Sequence, residues 1–151
     1  MRENMGLYRA KQKGNLKCVM GYLYRISEYQ NPFIMIKDRH AESYEVDPET
    51  VGQYTGKDDK NEVKIFEGDI VRAVFRNSGK AHTNAITFRC GCFWFGNWNF
   101  IELFDRFQYI EVIGNIYDNP ELISAERRRY CKSGLAPATS DEVDNFELMP
   151  G

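Results

Sequence analysis

Apolar runs of strand length, each closed by glycine, asparagine or proline after about ten residues, recur from Lys17 to Pro120 and limit the folds open to this chain. Lys17–Ile26 is rich in β-formers, and Pro32–Lys37 follows the turn signal Asn31-Pro32, so the two are expected to pair as strands. In Asp47-Pro48-Glu49-Thr50-Val51 the proline and acids suit the first turn of a short helix or a turn. Lys57–Glu62 reads as a charged, solvated hairpin-type connection. Beyond it Val71, Ala73 and Phe75 share one face of a strand while Arg72 and Arg76 fall on the other. The same alternation sets Ile86, Phe88, Cys90, Cys92 and Trp94 on one expected core face, opposite Thr87, Arg89 and Gly91. Gly96–Asn99 turns the chain, and Tyr109–Tyr117 supplies another strand before Asp118-Asn119-Pro120 breaks it. No fixed repeat period appears, which argues against a solenoid or propeller. The pattern predicts a mainly β protein, a small barrel or roll with an N-terminal β extension. Glu121–Tyr130 is expected to form a short C-terminal helix, and the acidic stretch from Gly134 a mobile or partner-docked tail.

An aromatic share of 14% in 151 residues supplies enough buriable surface to exclude a disordered, collagen-like or mucin-like chain. The apolar run Cys92–Phe95 is far shorter than the roughly 18–20 residues a membrane span needs. The first residues lack the apolar core and cleavage site of a secretory signal, so a cytoplasmic location is expected, with Cys18, Cys90, Cys92 and Cys131 as reduced thiols. Charge is polarised: residues 1–30 hold six Lys/Arg against two acids, and residues 31–69 hold five bases against ten acids. Such a surface can bind an anion at one end or satisfy a second copy of itself.

The run Tyr44–Gly56, then Asp59-Lys60-Asn61 and Phe66–Val71, resembles the signature of the YopX family of phage and prophage proteins. Glu111–Leu122 is similar to that family's C-terminal motif, and Tyr8–Lys11 with Gly21-Tyr22-Leu23 to its opening. The resemblance spans about residues 1–124. It implies an SH3-like barrel over 49–124 with the β-rich segment 1–48 packing on it, and it leaves 125–151, the expected short helix and tail, uncovered. It also implies a gene carried by a phage, prophage or other mobile element in a bacterial host, and it carries over no catalytic residue. Two positions depart from the pattern: Cys18 stands where an aromatic precedes Val19, and Asn61 is not followed by the family's glycine.

Chemical constellations are few. Cys90-Gly91-Cys92 invites a metal, with Cys18, Cys131, His40 and His82 as further ligands. In an extended strand, however, the two sulfurs stand roughly 6–7 Å apart, so packed core thiols are expected unless Gly91 makes a turn. Glu67-Gly68-Asp69 pairs two carboxylates, read as an acidic turn entering a strand in preference to acid/base chemistry or a cation site. His40 and His82 sit in polar, loop-like sequence without a nucleophile motif, and no phosphate loop or dinucleotide fingerprint is present. No catalytic residue, cofactor or metal is therefore expected.

The leading expectation is a non-enzymatic accessory protein that self-associates and binds a phage or host protein. Its candidate contact surface is Trp94, Trp98, Phe100 and Phe104 with Arg89 and Arg106, because so many rings exceed what a small core can hold. The alternative is a nucleic-acid-binding module that combines Arg9, Lys11, Lys13 and Lys17 with exposed aromatics.

Overall fold

The computed structural model describes residues 6–28 and 31–123. The chain is mainly β, as the turn spacing predicts, and it divides between Lys57 and Asp58 into two compact units.

In the first unit, β1 (Leu7–Lys11), β2 (Cys18–Glu28), β3 (Asn31–Lys37), β4 (Ser43–Glu45) and β5 (Gly52–Asp58) form an antiparallel sheet in the order β4-β3-β2-β1-β5. The expected pairing of the second and third segments is present, with Leu23 opposite Ile36 and Tyr22 opposite Lys37, but Asn31 and Pro32, expected as a turn, are strand residues paired with Glu28 and Ser27. Alternation sends Ala10, Val19, Leu23, Ile34, Ile36 and Tyr44 to one face, where they pack with Val46 and Val51. β5 lies with this unit because Gly52 and Gln53 pair with Arg9 and Tyr8 of β1. Between β4 and β5, Pro48–Thr50 makes a single 3₁₀ turn, capped by the Asp47 carboxylate, which accepts the Glu49 N–H at 3.1 Å. That is the short turn the Asp-Pro pair predicts.

In the second unit, β7 (Asp69–Phe75), β8 (Ala81–Arg89), β9 (Cys92–Phe95), β10 (Trp98–Asn99) and β11 (Phe107–Asn115) are ordered β10-β9-β8-β7-β11, preceded by the short strand β6 (Lys64–Phe66). These pairings establish an antiparallel sheet and do not by themselves close a barrel. Phe107 is the hub of the core. Its ring meets those of Phe75, Phe95 and Trp98 edge-on, at 5.2, 5.3 and 5.5 Å. Ile65, Val71, Ala73, Ile86, Leu103 and Ile110 complete this cluster, while Ile70, Ala85 and Ile123 form a smaller one.

Three features of the structure depart from the sequence reading or add to it. First, β8 and β9 are not one extended run: Cys90 (φ 52°) and Gly91 (φ 78°) form a two-residue hairpin turn. The reversal places Phe93 and Phe95 with Phe88 and Ile86, and moves Trp94 to the face of Thr87 and Arg89. Cys90 is exposed and Cys92 half-buried, so neither is a core thiol. Second, Phe100–Arg106 is a helix, α1. Asn99 caps it, accepting the Glu102 N–H at 2.9 Å and donating to the Glu102 carboxylate at 2.7 Å. Third, Pro120–Leu122 is a 3₁₀ turn and Ile123 is extended, so no continuous helix runs on from Glu121 through Ile123. Residues 124–130 of the expected helix, the tail and Cys131 lie outside the described residues.

Candidate functional site

The aromatic residues expected at a contact surface have different fates. Trp98 is only 4% exposed and belongs to the core. The Arg106 guanidinium lies 5.5 Å from its ring centroid. Trp94 is half-buried with its N–H donated to the Arg89 carbonyl at 3.0 Å and its face covered by the Arg89 guanidinium at 4.1 Å. Arg89 in turn donates to the Gly96 carbonyl at 2.9 Å. These two tryptophans and Arg89 hold the hairpins of the unit together.

A different apolar surface emerges from the same segment. Phe88, Phe93, Phe100 and Phe104 make successive ring contacts at 5.1, 6.0 and 5.2 Å, which carry the core outward along the β8–β9 hairpin and α1. Phe88 is 43% exposed and Ile101, one position along α1 from Phe100, is 82% exposed. Phe100 and Phe104 were legible as surface candidates. Phe88 and Ile101 escape the sequence reading, because alternation alone puts Phe88 on the core face and the aromatic run hides the helix. The available signals were Gly91 as a left-handed turn residue and Asn99-x-x-Glu102 as a helix start.

The basic residues of the N-terminal segment are gathered by β1 and the loop that follows it. Arg9 and Lys11 share the sheet face opposite the core, across from Met20 and Cys18. Lys13 pairs with Glu45 at 3.3 Å, and Lys17 is exposed in the loop before β2. In the β3–β4 loop Asp38 is pulled upward by desolvation. The N–H groups of Glu42 and His40 and the Tyr44 hydroxyl outweigh that pull and hold its carboxyl below the usual range. The same desolvation and the Asp38 charge push the Tyr44 hydroxyl up. His40 sits in this exposed loop, as expected. His82 does not: it is buried in β8 with its ring edge-on to Phe107 at 6.1 Å. No cluster of three or more His, Cys, Asp or Glu with metal-binding geometry occurs among the described residues.

The polar residues in the signature-like stretches bind backbone. Asp59, buried within the Lys57–Glu62 loop that reads as solvated, accepts the N–H groups of Asn61 and Val63 at 2.8 and 2.9 Å, and that of Val112 at 2.9 Å. It therefore closes its own turn and ties it to β11. Asp69 is buried and accepts the Phe66 N–H at 2.7 Å, bridging the left-handed turn at Gly68 (φ 93°). At the end of β11, the Asn115 side chain accepts the N–H groups of Tyr117 and Asp118 at 3.0 and 2.9 Å. A Cβ on Gly114 would stand 2.8 Å from the Asn119 Cγ.

The family model for YopX protein matches residues 7–124. The chain belongs to the YopX family. No curated protein matches it. A crystallised protein from Enterococcus faecalis, EF1440, is similar at 21% identity over 78% of this chain and 96% of its own, with a TM-score of 0.46. Against this geometry the YopX signature in this chain is a set of turn-closing devices. Asp59, Gly68, Asp69, Gly114, Asn115 and Asn119 hold backbone groups or make room for them.

The departure at Asn61 now has a physical meaning. Glu62, where the YopX pattern places glycine, adopts φ 63°, in the left-handed region. A side chain there costs about 1–2 kcal/mol. Glu62→Gly is expected to raise stability by up to about 1 kcal/mol, since glycine also gains freedom in the unfolded chain. Urea melts followed by tryptophan fluorescence measure it. An unchanged or lowered midpoint would show that the Glu62 backbone is not strained.

Proposed function

We propose that this YopX-family chain is a non-enzymatic accessory protein of a phage or prophage, which self-associates through the Phe88–Phe104 ridge and docks a phage or host protein. The observation that carries this reading is the continuous line of four phenylalanine rings, extended by the exposed Ile101. Apolar surface of this kind on a small protein is commonly covered by another chain. A two-fold pairing about Ile101 sets an apolar ridge against an identical one, the arrangement most frequent among soluble homo-oligomers. The involvement of the signature carboxylates Asp59 and Asp69 in backbone hydrogen bonds further supports a scaffold role for the motif.

Light scattering coupled to gel filtration, with absorbance at 260 and 280 nm, tests the proposal at low and high salt. The wild type is expected as a discrete multimer of the 17.6 kDa chain at both salts, and Ile101→Lys as a monomer. Ile101 is almost wholly exposed, so this variant keeps its fold. A wild type that is monomeric at every concentration, or an Ile101→Lys protein that remains multimeric, would overturn the proposal.

A further inference from the structure

The first unit carries a second surface, independent of the ridge and of the self-association reading. Register places Arg9, Met20, Tyr22, Tyr24, Met35 and Lys37 on the face of the sheet opposite its core: Arg9 faces Met20, Tyr22 faces Lys37, and Tyr24 faces Met35. Tyr22 is 54% exposed and Met20 43%. Among the described side chains, the acid that strand pairing brings to this face is Glu45, opposite Met35, and Lys13 neutralises it at 3.3 Å. The face thus combines aromatic rings with an excess of positive charge.

We propose that this face is a stacking platform for single-stranded nucleic acid. Tyr22 and Tyr24 are two residues apart on one strand, so their side chains emerge about 6.7 Å apart on the same side. That separation is comparable to one step of a stretched single strand. Tyr22 offers an exposed ring for a base, Tyr24 continues the platform, and Lys37 stands directly across from Tyr22 to meet the backbone. Arg9 and Lys11, on the neighbouring β1, add positive charge along the same face. Charge complementarity selects nucleic acid over a second copy of this chain. Stacking selects a single strand, because the bases of a duplex turn their faces to one another and not to a protein ring.

Fluorescence anisotropy with labelled 15-mers of dT and of rU, and a 15-base-pair duplex, tests this on the full chain. Both single strands are expected to bind more tightly than the duplex, and the two arms show whether DNA or RNA is preferred. With about three phosphates contacted, log affinity is expected to fall against log salt with a slope of about −2. Tyr22→Ala is expected to weaken single-strand binding about fivefold or more, and Tyr22→Phe to restore it. Lys37→Glu, at an exposed position, is expected to weaken binding and flatten the salt slope, which keeps the test decisive if Tyr22→Ala misfolds. Absence of binding at low salt, a preference for duplex, or single-strand affinity unchanged in the Tyr22→Ala or Lys37→Glu protein would overturn the proposal. A loss of self-association in Tyr22→Ala with strand affinity unchanged would assign the face to a second copy instead.

Discussion

Gly21→Ala is expected to lower the stability of the first unit by about 2–3 kcal/mol, among the larger effects a single methyl can have. Gly21 is buried in β2, and an added Cβ would overlap the Lys37 carbonyl oxygen and stand 2.7 Å from its carbon and 3.0 Å from the Asp38 Cα. These are backbone atoms at the end of β3, so no side chain can swing aside. Relief requires β2 and β3 to separate where Tyr22 pairs with Lys37. Urea melts followed by far-ultraviolet circular dichroism are expected to show a midpoint lower by about 1–2 M. Trp94 and Trp98 both lie in the second unit, so tryptophan fluorescence in the same samples reports whether the loss spreads. A wild-type midpoint would mean that the two strands are not held this close. The variant also bears on nucleic-acid binding, since Tyr22 and Lys37 owe their juxtaposition to the same close approach.

Asp59→Ala is expected to cost the second unit about 3 kcal/mol. Alanine leaves the N–H groups of Asn61, Val63 and Val112 without their acceptor. Each partly buried donor so abandoned costs about 1 kcal/mol or more. Asp59→Asn is expected to fall between alanine and wild type. One amide oxygen can keep either the turn bonds or the bond to Val112, but not both, because the two sets use different carboxylate oxygens. Tryptophan fluorescence in urea measures the loss, and amide exchange at Asn61, Val63 and Val112 locates it. If those three amides exchange in Asp59→Ala as slowly as in the wild type, the carboxylate is not what holds the loop to β11.

The legible part of this protein was local. β2 and β3 declared themselves by β-branched and aromatic runs, although Asn31-Pro32, read as the turn between them, already belongs to β3, and Asp47-Pro48 announced the 3₁₀ turn. The alternation of Val71, Ala73 and Phe75 marked a core face that the structure buries. Other features were misread because one local choice reverses everything after it. The two-residue turn at Cys90-Gly91 inverts the parity of the following strand, which takes Trp94 off the core face expected of it and puts Phe93 beside Phe88. A dense aromatic run concealed the helix Phe100–Arg106, although its capping pair Asn99 and Glu102 was in plain view. The candidate surface was legible only in part, since the excess of rings predicted an exposed apolar area but not which rings would form it.

The sequence by itself determined the class of the fold and the family, because strand periodicity, turn residues and an ordered motif are properties of neighbours along the chain. Tertiary structure alone decided that Asp59 reaches Val112, that β1 pairs with both β2 and β5, and that Trp98 is buried while Ile101 is exposed. The physical reason is that such contacts join residues far apart in sequence. Which side of a ring is covered depends on where the chain returns, and no local pattern records that.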